Sequence, residues 1–143
     1  MKFKVSFSGE HPEKKFAEQF SGVGLIRGEY PIKKHKMWIA KPEMQAIMRD
    51  YVASIADLFK GRDVWYRTIE LPTNRVNVLS GCDHFVEEAM DTSVGLRGIR
   101  RALQFPETFM TELRVISEVA ETRPNLNIIF PFVHDISEWK YYV

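Results

Sequence analysis

The feature that most constrains the fold is a regular alternation of strand-like and helix-like segments along the chain. Short apolar runs predict five strands, at residues 2–7, 22–27, 64–71, 94–97 and 128–133. Amphipathic segments that begin with proline predict helices between them, over residues 12–20, over residues 42–60 and from Pro106 onward. Repeated βα units imply a parallel sheet, because consecutive parallel strands need a crossover connection. An open doubly wound sheet and a (β/α)8 barrel both fit this alternation.

Three polar stretches fall between or after these elements. The basic run Lys33 to Lys36 predicts a solvated loop, and residues 73–92 predict a long polar loop. Loops of that length in a compact domain are usually functional. Residues 137–140 carry the pattern of a helix start.

Composition limits the class of protein. The 143 residues are 45% hydrophobic and 27% charged, with a formal net charge of +1, which predicts a single globular domain over residues 1–143. This balance argues against disorder and against bulk attraction to nucleic acid. The N-terminus lacks the apolar stretch of a secretory signal, and no apolar run approaches the roughly 20 residues of a membrane-spanning helix. We therefore expect a cytoplasmic protein with no membrane partner.

Three arginines each lie at the end of a predicted strand, namely Arg27, Arg67 and Arg97. A guanidinium keeps its charge and presents a planar fork that binds phosphate or carboxylate through two hydrogen bonds. Because ligands in parallel α/β folds bind at the carboxyl ends of strands, the pattern predicts a site for a small anion with more than one negative group. Spacing alone leaves an alternative open, in which each arginine is a surface residue at a strand end or pairs with a carboxylate such as Glu29 or Glu70.

Other kinds of site are not indicated. The run Gly22-Val23-Gly24 lacks the third glycine of a dinucleotide-binding loop, and the four histidines are scattered without metal-ligand spacing. The single cysteine, Cys82, excludes an internal disulfide. We therefore predict no catalytic residue and no metal ligand within the chain.

Four segments, in order, resemble motifs of the phosphoenolpyruvate-utilising enzymes. Their Gly-Val-Gly-Leu-x-Arg-x-Glu strand is similar to residues 22–29, and their Val-Arg-x-x-Asp strand with its following Asn is similar to residues 66–74. Their Leu-Gly-x-Arg-Gly segment resembles residues 94–98, and their Ile-Pro-Phe-Val strand resembles residues 130–133. The phosphoenolpyruvate synthase branch is the most similar. The resemblance implies a phosphoenolpyruvate- and pyruvate-binding (β/α)8 domain.

By this resemblance, Arg27, Arg67 and Arg97 would hold the phosphate and carboxylate of phosphoenolpyruvate and stabilise the phosphoryl group during its transfer. Two departures bear on the shape of that pocket. Glu70 stands where the family has Asp, and Asp91-Thr92 replaces an Asn-Pro pair. The family's magnesium ligands and its proton-donating cysteine would lie beyond Val143. The resemblance therefore implies a magnesium cofactor whose ligands this chain lacks.

A full barrel takes about 250 residues, so the chain predicts a partial (β/α)8 barrel of about five βα units. We expect the phosphoenolpyruvate- or pyruvate-binding portion of a phosphotransferase, catalytically incomplete on its own. The alternative is a non-catalytic module that senses a metabolite, and a reading frame that continues past Val143 would favour the enzyme. Unpaired strand edges at Phe3–Phe7 and Ile128–Val133 predict self-association or association with the rest of a larger enzyme.

Overall fold

A parallel four-stranded sheet forms the centre of the computed structural model, which describes residues 1–82 and 96–140. The strands are β1 (Val5–Phe7), β2 (Val23–Arg27), β3 (Val64–Arg67) and β4 (Leu126–Ile129). Their order in the sheet is β1-β2-β3-β4, and each neighbouring pair is parallel. The predicted α/β class with parallel strands is confirmed. A spatial order that follows the chain order is compatible with part of a barrel.

Seven helices accompany these strands within the described ranges: α1 (Lys14–Ala17), α2 (Glu29–His35), α3 (Pro42–Leu58), α4 (Thr73–Val76), α5 (Gly98–Gln104), α6 (Pro106–Ala120) and α7 (Ile136–Lys140). The two longest, α3 and α6, begin at the prolines that predicted them, because proline at the first helical position needs no N–H partner. The predicted helix over residues 12–20 is present only as the short α1.

Lys33 to Lys36 are exposed, as predicted, but the prediction that they form a loop was wrong. Lys33, Lys34 and His35 form the last turn of α2, and Lys36 ends the helix in the left-handed conformation with φ of 51°. The helix forms because it buries Pro31 and Ile32. Its basic last turn also suits the negative end of the helix dipole.

Strand boundaries also differ from the predictions. Strand β3 ends at Arg67 instead of residue 71, and β4 occupies Leu126–Ile129 instead of residues 128–133. The start of the predicted loop over 73–92 folds as α4, and residues 83–92 lie outside the described part of the chain. Residues 94 and 95 of the predicted fourth strand lie outside it too. Residues 96 and 97 are not in a strand, and Arg97 is the extended residue that precedes α5.

The main core lies between the sheet and helices α3 and α6. Strand β3 shows this by alternation, since Val64 and Tyr66 are fully buried while Trp65 and Arg67 remain partly exposed. Successive side chains of a strand point to opposite faces, so the second face of the sheet carries Trp65 and Arg67. None of the described helices is both long and apolar enough to cross a bilayer.

Candidate anion-binding site at the carboxyl ends of the strands

Strand pairing places two of the predicted arginines side by side. Arg27 is the last residue of β2, Arg67 is the last residue of β3, and the two are register partners. Register partners on parallel strands point to the same face, so both guanidiniums project from one edge of the sheet. The predicted positions of Arg27 and Arg67 at strand ends are confirmed.

Arg27 has no carboxylate partner among the described residues. Its Nη1 donates to the hydroxyl of Tyr30 at 3.3 Å, and its guanidinium carbon lies 5.8 Å from the centre of the Tyr30 ring. The Nε of Arg27 is buried and has no hydrogen-bond partner there. The hydrogen bond from Arg27 lowers the pKa of the Tyr30 hydroxyl. A buried N–H without an acceptor leaves this guanidinium with unused donor capacity.

Arg67 is held by two carboxylates. Its Nη2 donates to Oε1 of Glu29, the first residue of α2, and lies 3.6 Å from Oε2 of Glu70. Glu29 is only 4% exposed, so its charge depends on Arg67 for compensation. The backbone carbonyl of Arg67 also accepts from the Gly28 N–H at 3.1 Å. The end of β3 is therefore fixed to the start of α2 by both side chain and backbone.

Arg97 reaches the same cluster from the start of α5. Its Nε and Nη2 both contact Oε1 of Glu70, and its guanidinium lies 4.7 Å from the centre of the Phe132 ring. Gly98 has φ of +54°, and a Cβ there would lie 2.8 Å from the carbonyl oxygen of Pro131. The Ile99 N–H donates to that carbonyl at 3.2 Å. Only glycine permits this close approach, which fixes the segment after β4 beneath Arg97.

The resulting arginine cluster consists of Arg27, Arg67 and Arg97 together with Glu29 and Glu70. A continuous series of ion pairs runs from Glu29 through Arg67 and Glu70 to Arg97. The predicted ion pairs with Glu29 or Glu70 are present for Arg67 and Arg97, whereas Arg27 ends its strand without a carboxylate partner among the described residues. With three cations and two anions, the cluster carries a formal charge of +1. Its role in ligand binding stays a prediction.

A buried carboxyl group supports this edge from the helix-covered face of the sheet. Oε1 of Glu112, on α6, accepts from the Tyr66 hydroxyl at 2.7 Å and from the Ile69 N–H at 2.8 Å. Burial raises the pKa of Glu112 to about 7, although both hydrogen bonds act in the opposite direction. The sequence analysis missed Glu112. A signal was available, since Glu112 lies at helical spacing from Phe109 and Ile116 on the apolar face of α6.

A cavity of about 20 Å³ adjoins Glu112, which is room for about one water molecule. Its lining includes Thr68, Gly98 and the buried Arg101. Arg101 donates to Thr73 Oγ1 at 3.4 Å and packs its guanidinium 4.9 Å from the centre of the Phe105 ring. Burial lowers its pKa. The sequence analysis did not single out Arg101.

The described residues do not fit a magnesium site. No group of three or more His, Cys, Asp or Glu side chains among them could hold a metal ion. The two carboxylates nearest the arginines, Glu29 and Glu70, are engaged by guanidiniums. The described residues therefore do not provide ligands for the magnesium implied by the resemblance.

Comparison with known proteins gives the chain its relatives. Phosphoenolpyruvate synthase of Pyrococcus furiosus is 33% identical over 133 residues, which cover 87% of this chain and 16% of the relative. A probable phosphoenolpyruvate synthase of Methanothermobacter thermautotrophicus is 31% identical over 139 residues, with 92% and 20% covered. A protein of Escherichia coli named for the phosphoenolpyruvate-dependent phosphotransferase system is 26% identical over 134 residues, with 94% and 17% covered.

The chain thus spans between a sixth and a fifth of the length of these relatives. A family profile described as PEP-utilising enzyme, PEP-binding domain, matches residues 6–142, a range that contains the whole arginine cluster. This match covers far more than half of the 143 residues. The chain belongs to the family of PEP-utilising enzymes, as their PEP-binding domain.

Proposed function

We propose that Arg27, Arg67 and Arg97 bind phosphoenolpyruvate or a pyruvate-like anion, and that the chain is the ligand-binding portion of a phosphotransferase resembling phosphoenolpyruvate synthase. The observation that carries the proposal is the arginine cluster at the carboxyl edge of β2 and β3. Partly buried guanidiniums form stronger hydrogen bonds with phosphate and carboxylate than exposed ones do. The Nε donor of Arg27, which has no hydrogen-bond partner among the described residues, also supports anion binding.

We also propose that the sheet is part of a (β/α)8 barrel. The strands follow one another in space in the order of the chain, whereas a doubly wound sheet reverses its order at a switch point. The arginines then lie at the end of the barrel where such domains place their ligands. In this arrangement the described strands are consecutive members of a larger closed sheet.

The chain's own residues can bind and orient an anion and neutralise part of its charge. Among the described residues, no group of three or more His, Cys, Asp or Glu side chains could hold a metal ion that bridges the reacting oxygens. Positioning and charge neutralisation alone leave most of the barrier to phosphoryl transfer in place. We therefore expect the isolated chain not to interconvert pyruvate and phosphoenolpyruvate, and turnover by the purified chain in the presence of magnesium would contradict this.

Calorimetric titration of the purified chain tests the binding proposal. Phosphoenolpyruvate should bind more tightly than pyruvate, because it adds a phosphate to the carboxylate. Replacing Arg27 by alanine should weaken phosphoenolpyruvate binding at least about tenfold, the loss expected for a charge-assisted hydrogen bond. Arg49, paired with Glu118 between the outer helices α3 and α6, provides the matched control R49A. Equal affinities for the wild type, R27A and R49A would contradict the proposal.

Association is a further part of the proposal. Strands β1 and β4 are the two ends of the described sheet, so each pairs with a strand on one side only. Phe3, next to β1, is 61% exposed, and Phe16 of α1 is 41% exposed. We expect these edges to pair with a second copy or with the rest of a larger enzyme. Sedimentation of a stable monomer at micromolar concentration would contradict self-association.

A further inference from the structure

Glu70 is bound by the arginine cluster in the way that an anionic ligand would be bound. We infer that its carboxylate occupies the ligand's position between Arg67 and Arg97, so that an incoming anion must displace it. This inference rests on the proposed function, and it adds a regulatory contact to the same site. It predicts that removing the charge of Glu70 tightens anion binding.

The geometry supports an occupied position. Oε1 of Glu70 receives both Nε and Nη2 of Arg97, so two charged donors converge on one carboxylate oxygen, as they could on an oxygen of a bound anion. Oε2 of the same group lies 3.6 Å from Nη2 of Arg67. One carboxylate thus contacts two of the three guanidiniums. Its side chain is 10% exposed, so the contact is shielded from water.

Charge supports the same conclusion. With Glu29 and Glu70 in place, a ligand meets a cluster of formal charge +1, and Arg27 is the one cluster cation without a carboxylate partner in the described part of the chain. When Glu70 moves away, Arg97 loses that partner and Arg67 keeps only Glu29. The site then offers a ligand the guanidinium of Arg97, and that of Arg67 has one carboxylate partner fewer. A multivalent anion gains most from this exchange, whereas a monovalent anion can bind at Arg27 alone.

Glu29 is a different kind of partner. It is 4% exposed, it contacts only Arg67 within the cluster, and its Oε2 is buried without a hydrogen-bond partner. A carboxylate in that position fixes Arg67, and its displacement would release no second guanidinium. Glu70, in contrast, bridges two cations from a segment that follows the end of β3. The displaceable group is therefore Glu70.

Titration of the wild type, E70Q and E118Q with phosphoenolpyruvate and with inorganic phosphate tests the inference. E70Q keeps the size of the side chain and removes its charge, so affinity for both anions should rise at least about fivefold. E118Q makes the same change in an ion pair of the outer helices and should leave affinity unchanged. If Glu70 instead only positions Arg97, E70Q will bind both anions more weakly than the wild type, and the inference is overturned.

A second measurement covers the case in which E70Q folds poorly. The Nε–H resonance of Arg97 in the wild type should shift on saturation with phosphate, because the acceptor changes from Glu70 to the ligand. An unshifted resonance in a phosphate-saturated protein would overturn displacement while leaving anion binding intact. If neither the wild type nor E70Q binds either anion, and R27A behaves identically, the proposed function itself fails. Tighter anion binding by E70Q, with the affinity of E118Q equal to that of the wild type, supports the inference.

Discussion

The two faces of strand β3 handle buried carboxyl groups in different ways. On the arginine face, Glu29 and Glu70 are ion-paired with guanidiniums. On the helix-covered face, Glu112 receives only neutral donors, the Tyr66 hydroxyl and the Ile69 N–H. Burial accordingly raises the pKa of Glu112 to about 7. The comparison teaches that ion-paired carboxylates are concentrated at the edge proposed to bind a ligand, while the interior holds a carboxyl group whose raised pKa allows it to become neutral.

The largest expected effect on stability comes from removing an ion pair on the arginine face. Arg67→Ala should lower the free energy of unfolding by about 3 to 5 kcal/mol, because it leaves the buried carboxylate of Glu29 without a compensating charge. Arg27→Ala is the matched control, because it leaves no carboxylate without a partner. It should lower the free energy of unfolding by about 1 kcal/mol. Chemical denaturation measures both. Similar losses for the two variants would contradict the assignment of Glu29 to Arg67.

On the other face, the expected effect is a dependence of stability on pH. The pKa of Glu112 is about 7 in the folded chain against 4.5 as the reference value, so the folded state binds more protons between these values. The Glu112 contribution to the free energy of unfolding should therefore fall as pH rises from about 4.5 to 7, by up to about 3 kcal/mol. The Glu112 contribution should not change further with pH once the pH is well above 7. Denaturation at a series of pH values measures the trend.

The control for this trend is Glu112→Gln, which keeps an oxygen that can accept from Tyr66 and Ile69 and cannot ionise. Subtracting the E112Q profile from the wild-type profile isolates the contribution of this one group. A difference that rises with pH over the same range would mean that Glu112 is stabilised as a carboxylate. In that case the contrast between the two faces would disappear.

A smaller effect is expected where the two faces meet at Gly28. A Cβ at Gly28 would lie 2.3 Å from the hydroxyl oxygen of Tyr66, so Gly28→Ala must shift the Tyr66 ring or the backbone around residue 28 and disturb the hydrogen bond from that hydroxyl to Glu112. Overpacking of this kind costs about 1 to 3 kcal/mol. Gly24→Ala, within β2, is the comparison, because its Cβ would meet the Lys4 side chain at 3.3 Å and the Val5 carbonyl oxygen only at 3.9 Å. Thermal melting should show the greater loss for G28A, and the reverse order would contradict this packing.

The smallest effect should come from the ion pair between Arg49 and Glu118 on the outer helices. Both side chains are exposed by about two fifths, at 39% and 43%, so solvent screens their attraction. Glu118→Gln should change the free energy of unfolding by less than about 1 kcal/mol. A loss as large as that of R67A would show that ion pairs matter equally across the molecule. The distinction between the arginine edge and the rest of the surface would then fail.

The sequence predicted what local patterning controls. Proline starts and apolar spacing located α3 and α6, and the ends of two strands located Arg27 and Arg67. Arg97 was assigned to a strand because Val94 to Leu96 are apolar, yet the left-handed conformation of Gly98 and its contact with Pro131 decide its actual place. Contacts between distant segments, such as the hydrogen bond between Tyr66 and Glu112, produce no periodic pattern in the sequence. The one signal of this contact is a charged residue on the apolar face of a helix.

The contact between Gly98 and Pro131 also sets an order of assembly. Arg27 and Arg67 acquire their register as soon as β2 and β3 pair, using only the first half of the chain. Arg97 acquires its support only after Pro131 and Phe132 have been synthesised and packed against α5. Residues become available from the N-terminus during synthesis, so the third guanidinium is the last of the three to find its supporting contacts. A nascent chain that ends before β4 should therefore present two of the three arginines and lack the support of Arg97 until residues 131 and 132 have been added.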